Sequence, residues 1–348
     1  NVINIFVYVK IGLKDCINIC FFVLSFTDLA SVLVLILNNV SYMFTDAFEE
    51  LWNINGKNLT FLITFYYGAI YDISQGITTF IAVQKCWCVA LPFRFKNTFS
   101  ASRTYVILSG ISIMILSMHL PILATQGLQE TILPDTNRTL LVLWTAEIRQ
   151  QIFPVIALMS VIFTTTCQFT VIFCLIVLAS TLRASSKFRN SSASSNMRPL
   201  TTYLKSGTAK GSGNIYWNKY KFCCKKMNDG HWHDAENQVG EISASDCKNI
   251  EPVPLQNKIT SSKELQAIKS TTIVSVLFIS FNTFKLLNSY VILCVADYSL
   301  YGRFSNTYKM TNSIRLFFEE LHMSCNMFVY LKFNSRFTKT LSATCGCG

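Results

Sequence analysis

The sequence predicts an all-α protein, a bundle of seven transmembrane helices with its N-terminus outside and a long cytoplasmic loop between helices five and six. Three observations predict it. Of the 348 residues, 51% are hydrophobic and only 14% are charged, whereas soluble domains carry roughly 25% charged residues. The apolar residues gather in runs of about the 20 residues that cross a bilayer. Lys and Arg crowd one side of those runs, loop after loop, as the positive-inside tendency requires.

The elements follow in chain order. Residues 1–13 are apolar and aromatic but too short to span, so they read as the remainder of a truncated first helix. Helices two to seven are expected over 16–44, 60–91, 104–124, 152–182, 268–295 and 311–331. Four regions result: 1–182 with helices one to five, 183–267 as a cytoplasmic loop, 268–331 with helices six and seven, and 332–348 as a membrane-surface helix and tail. Lys10, Lys14, Lys85, Arg94, Lys96, Arg103, the cations of the long loop, Lys332, Arg336 and Lys339 fix the inside; Asp46, Glu49, Glu50, Glu130, Asp135 and Glu147 fall outside. The acceptor sequons at Asn58 and Asn137 also fall outside, where glycosylation occurs, whereas the one at Asn190 falls inside.

Ser, Lys, Asn and Gly dominate the long loop, the composition of a flexible connection. Cys223, Cys224, His231, His233 and Cys247 within it match no standard zinc spacing, and the two adjacent thiols read equally as acylation sites. The tail thiols Cys345 and Cys347 suit palmitoylation or remain unmodified. No internal repeat of the kind that builds many transporters emerges.

Polar groups at mid-span are expensive and call for a functional reading. Asp28 lies in the second helix within Leu24-Ser25-Phe26-Thr27-Asp28-Leu29, with Asn1 in the first, Ser74 in the third and Asn326 in the seventh. A carboxylate with hydroxyl and amide oxygens makes a site for a small hard ion or for waters. The same residues read equally as polar glue between helices.

The chain resembles the rhodopsin-like G-protein-coupled receptors. Asn1-Val2-Ile3 is similar to their first-helix asparagine signature, the Asp28 stretch to the Leu-Ala-x-x-Asp-Leu of the second, and Asn326-Met327-Phe328-Val329-Tyr330 to the Asn-Pro-x-x-Tyr of the seventh. Phe337 resembles the aromatic that opens the family's surface helix. With Pro92 taken as the proline after the Asp/Glu-Arg-Tyr motif, that motif falls on Gln84-Lys85-Cys86, and Ser74 matches the family's sodium-site serine. Phe278, Phe281, Asn282 and Phe284 fill the sixth-helix frame, which puts Glu264 at the cytoplasmic acid. The run from Cys86 to Lys96 is most similar to molluscan chemosensory or orphan receptors.

The resemblance implies a plasma-membrane receptor that passes the binding of an extracellular ligand to a heterotrimeric G protein, with no catalytic or nucleic-acid role. It implies an activation network of Asn1, Asp28, Ser74, His322, Asn326 and Tyr330, with structural Na⁺ at Asp28 and Ser74 and no other cofactor. It implies an ionic lock between Lys85 and Glu264, and a ligand pocket lined by Tyr67, Tyr71, Lys285, Asn288, Leu316 and Glu320. Tyr67 stands where amine receptors carry an aspartate, which points to a peptide, amino acid or other chemosensory cue. Lys285 and Glu320 bind a zwitterion on this reading; otherwise they pair with each other or snorkel.

The departures are specific. Lys85 lacks the bidentate fork of the family's arginine, Gln84 replaces the adjacent acid, and Met327 removes the seventh-helix proline. No cysteine stands between Cys88 and Cys167, so the family's extracellular disulfide cannot form and the second outer loop is left without its usual tether. A transporter or channel using Asp28, Asp72, Glu319 and Glu320 is the rival class, followed by a receptor-like protein that binds without coupling. His119 and His322 stand apart in the sequence, which gives no catalytic set.

Overall fold

The computed structural model describes residues 1–91, 95, 98–133, 138–195, 262–295, 297–298 and 302–345. Pro92, Asn137, Cys347 and the Cys and His residues of the long loop lie outside the described residues, as do the side chains of Glu264 and Cys345. The chain divides into two units, Asn1–Ser186 with Thr260–Gly348, and Lys187–Ile259. The first carries every side chain of the candidate site.

The described chain is mainly helical. Short α1 (Val2–Ile11) ends at Gly12, whose φ of 96° suits glycine. Next comes α2 (Cys16–Met43), whose first turn is capped by Asp15 accepting from the Ile17 amide at 3.4 Å. A short α3 (Thr45–Trp52) stops at left-handed Asn53. Helix α4 (Gly56–Ala90) starts under an Asn55 cap. A Cβ on Gly56 would sit 2.5 Å from the Ser41 carbonyl oxygen, so only glycine lets α4 begin this close to the end of α2. Ser100 caps α5 (Ala101–Ala124). Beyond the connection that follows α5 run α6 (Arg149–Ser195), α7 (Ser262–Cys294), α8 (Ser305–Phe333) and α9 (Ser335–Cys345). Most ends lie within a few residues of the expected spans. Helix α6 continues well past 182, because Thr181-Leu182-Arg183-Ala184 holds no helix breaker.

Among the described residues, four helices are long and apolar enough to cross a membrane: α2, α5, residues Arg149–Thr181 of α6, and Thr271–Cys294 of α7. The two other long helices, α4 and α8, have 35 and 29 residues, length enough for a span. They fall short in apolarity because they carry much of the buried polar set: Tyr67, Tyr71, Asp72, Ser74, Gln75 and Gln84 on α4, and Glu319, His322 and Asn326 on α8. The exposure pattern is the reverse of a water-soluble fold. Asp28 and Ser74 are 0% exposed, while Phe169 and Phe173 are 67% and 65% exposed. Such apolar outer surface points to a lipid surround.

Three apolar clusters hold the helices together. The largest joins α1, α2, α4, α5, α8 and α9 through Val7, Tyr8, Ile19, Leu24, Ile77, Ile115, Tyr330 and Phe337. A second, around Ala82, Cys174 and Phe278, ties α4 to α6 and α7. The third sets Leu35, Tyr67, Tyr71 and Met323 together. Helix α9 is pinned by Phe337, buried against Tyr8 and Tyr330 with ring centroids 5.6 and 5.9 Å away.

The all-α expectation is corrected in the connection between α5 and α6. Strands β1 (Gln126–Leu133) and β2 (Arg138–Thr145) pair antiparallel, with Gln126 opposite Thr145. The reason lies in β2, where Leu140, Leu141, Val142, Leu143 and Trp144 make a short apolar run better suited to a strand than to a span. The loop expected to lack its usual disulfide tether is fastened by other means. The Leu141 amide donates to the Asn53 carbonyl at 2.7 Å, and the Asn55 amide donates to the Leu141 carbonyl at 3.1 Å, so backbone pairing fastens the hairpin to the turn before α4.

Candidate functional site

Two polar clusters occupy the helix interior. The first centres on Asp28. Ser74 Oγ on α4 donates to Asp28 Oδ1 at 2.5 Å, and Asn326 Nδ2 on α8 donates to Asp28 Oδ2 at 3.0 Å. The carboxylate, hydroxyl and amide expected to meet from three helices therefore do meet, with exposures of 0%, 0% and 3%. Among the described residues no cation pairs with Asp28. Each bond comes from a neutral donor and the charge of the Asn1 amino group acts only from beyond ion-pair distance, so a charge on Asp28 calls for a proton or a bound cation close by.

Other members of the expected network lie around this core without touching the carboxylate. Asn1 donates to the Met323 carbonyl at 3.3 Å and accepts from Asn4 at 3.4 Å, which joins α1 to α8. His322, one turn before Asn326, is 2% exposed, and neither ring nitrogen has a partner; its ring packs edge-on to Phe278 at 5.5 Å. Ser31, one turn along α2 from Asp28, is buried with an unpartnered hydroxyl. Tyr330 is held as an aromatic among Tyr8, Phe21 and Phe337, its hydroxyl unpartnered.

The second cluster was not foreseen as a unit. Asp72, one position past Tyr71 on α4, is 1% exposed and faces three neighbouring helices. It pairs with Lys285 of α7 and His119 of α5, the latter at 2.9 Å, and accepts from Ser160 of α6 at 3.4 Å. Lys285 also donates to Gln75 at 3.2 Å, with its ammonium 4.6 Å from the centre of the Tyr71 ring. Thr164 of α6 reaches the same Gln75 oxygen at 3.5 Å. His119, which stands apart in the sequence, is thus brought into a buried polar group with Asp72 and Lys285.

The expected ligand residues are largely engaged within the protein. Tyr67 donates to Glu319 at 2.8 Å and Tyr71 to Asn282 at 3.0 Å. Asn288 accepts from Tyr298 at 3.0 Å, and Leu316 packs against the Tyr67–Met323 cluster. Lys285 and Glu320 do not pair with each other. Lys285 is taken by Asp72, and the inward-facing acid of α8 is Glu319, which is 0% exposed and bound to Arg315 at 2.6 Å. Glu320, one position on, is turned about 100° around the helix and is half-buried. Glu319, His322, Asn326 and Tyr330, spaced by three or four residues, define the inner face and exclude Glu320. That spacing was readable beforehand.

Toward the predicted cytoplasmic end, Cys20 Sγ donates to Gln84 Oε1 at 3.6 Å, and the negative charge of Asp15 favours the charged form of Lys85. The sequon residue Asn58 lies in the first turn of α4. Among the described residues, no group of three or more His, Cys, Asp or Glu side chains converges as a multidentate metal site would need. No protein-family model matches the chain, and no curated protein does.

Proposed function

We propose that the chain is a divergent rhodopsin-like receptor in the plasma membrane, a seven-helix bundle in which a bound extracellular ligand shifts a two-state equilibrium read by a heterotrimeric G protein. The single observation that carries the reading is the meeting of Asp28, Ser74 and Asn326. Three residues chosen by register from three separate helices fall within hydrogen-bond distance at one depth. Four apolar helices, two polar helices of spanning length and the docked α9 support the bundle.

The donor set suits a hard monovalent cation. Asp28 supplies a carboxylate with no ion-paired cation among the described residues, Ser74 and Ser31 supply hydroxyl oxygens, and the Ser31 and His322 groups, unpartnered among the described residues, have capacity to spare. Na⁺ when bound would contribute the missing positive charge. Asp28 and Ser74 would hold it, and Asn326 would orient the carboxylate. Release of that charge balance would favour the alternative packing of α8 against α2.

On this reading Lys85 pairs with Glu264 in the resting state, and Pro92 lies at the inner end of the third span. With the charges of Lys285 and Glu319 already balanced by Asp72 and Arg315, the ligand meets a neutral, aromatic and amide-rich lining rather than a zwitterion trap.

The test is expression at the cell surface with second-messenger readout during a screen of peptides, amino acids and odorant-like molecules, with Glu264→Ala alongside. Raised basal output in that variant supports the lock. Unchanged basal output in a surface-expressed variant contradicts it. The transporter or channel reading draws on the buried Asp72, His119 and Lys285, which could relay protons; conductance or uptake independent of G protein would select it.

A further inference from the structure

Where the hairpin meets α4 and α6, two buried hydrogen-bond donors have nothing to bind. Arg149 opens α6 and Gln126 opens β1, and they are 9% and 7% exposed. Arg149 Nη1 donates to Gln126 Oε1 at 2.6 Å. A guanidinium only donates, so the amide oxygen must face it, and the amide nitrogen is left for something else. Arg149 Nη2 and Gln126 Nε2 are both buried without a partner among the described residues. Among the described residues no carboxylate pairs with Arg149, in contrast to Lys285 and Arg315, each of which has an acid. The rings of Phe61 and Phe65 stand 5.3 and 4.6 Å from the guanidinium carbon and shield it from water.

A shielded cation without a counter-ion, beside a second free N–H donor, is half of a charge-assisted recognition site. Aromatic stacking offsets part of the guanidinium's lost hydration but satisfies none of its N–H groups. A neutral ligand would leave the charge unbalanced, and a second cation would be repelled.

We propose that Arg149 and Gln126 form an oxyanion-binding site, in which a carboxylate or phosphate accepts from Arg149 Nη2 and Gln126 Nε2 against an apolar wall of Phe61 and Phe65. The anion is either a soluble carboxylate or phosphate, or a phospholipid headgroup. The site lies apart from the Asp28 and Asp72 clusters and stands whether or not the chain signals.

The experiment is thermal denaturation of the purified full chain in detergent, titrated separately with sodium benzoate, inorganic phosphate and phosphatidylglycerol, with benzamide as the uncharged analogue of benzoate. Sodium is held constant throughout. At least one anion is expected to raise the melting temperature in a concentration-dependent way, with benzamide inert. A response to benzoate or phosphate identifies a soluble ligand; a response to phosphatidylglycerol alone identifies a lipid. Arg149→Gln should weaken binding roughly tenfold to a hundredfold.

Gln126→Glu places a carboxylate beside Arg149. It should melt higher than the parent chain without added anion and no longer respond to any. Three results would overturn the site: no anion stabilises the parent chain, anions stabilise it and Arg149→Gln equally, or Gln126→Glu still responds as the parent does. The last comparison serves even if Arg149→Gln fails to fold.

Discussion

Asp28 and Asp72 are both carboxylates sealed inside the bundle, at 0% and 1% exposure, yet their surroundings differ in kind. Asp72 meets the ammonium of Lys285, the ring of His119 and a serine hydroxyl. Asp28 meets only the hydroxyl of Ser74 and the amide of Asn326. The protein completes the charge balance at Asp72 with its own side chains and leaves it open at Asp28. The difference teaches that a buried acid with a fixed cation is a structural clasp, whereas one with neutral donors alone responds to protons or cations in the medium.

The largest expected effect breaks the clasp. Lys285→Met leaves Asp72 buried beside His119 without its ammonium, and should cost about 3–5 kcal/mol. Denaturation of the purified chain measures it, and adding Asp72→Asn should recover most of the loss. If the single variant proves as stable as the parent, Asp72 was not charged and the contrast with Asp28 disappears. Glu319→Gln comes next. It removes the partner of Arg315, whose side chain is 16% exposed, and should cost about 2 kcal/mol, discounted for that partial hydration. Its neighbour sharpens the comparison: Glu320→Gln should stay within about 0.5 kcal/mol. The reverse ranking in the same assay would mean that α8 is rotated by one residue. Ser74→Ala should lose about 1.5 kcal/mol, the share of one hydrogen bond to a charged group. A smaller loss in sodium-free medium than in sodium would place cation binding in the same bond.

Much of the architecture was readable in advance. The positions of the long helices, four of them apolar enough to span among the described residues, follow from run length, and Asp28, Ser74 and Asn326 could be aligned because each sits at a fixed offset from a recognisable neighbour. The Asp72 cluster was harder, because its partners come from four helices and depend on how each is rotated. No offset along one chain segment links Asp72 to Lys285 or His119. Rotation was nonetheless recoverable on α8, where the three- and four-residue steps from Glu319 to Tyr330 mark one face. The hairpin stayed hidden for another reason. Its strands lack an Asn-Gly or Asp-Gly turn signal, and its docking on Asn53 and Asn55 uses backbone groups that every residue possesses. No motif in the sequence marks Arg149; only its depth against Phe61 and Phe65 sets it apart.

The central claim is that Asp28 lacks a partner charge that the medium supplies. Its most direct test is the melting temperature of the purified full chain in sodium chloride and in choline chloride of equal strength, for the parent and for Asp28→Asn. Sodium should raise the melting temperature of the parent and leave the variant unchanged, since the amide has no charge to balance. A sodium shift of equal size in both, or in neither, would contradict the claim.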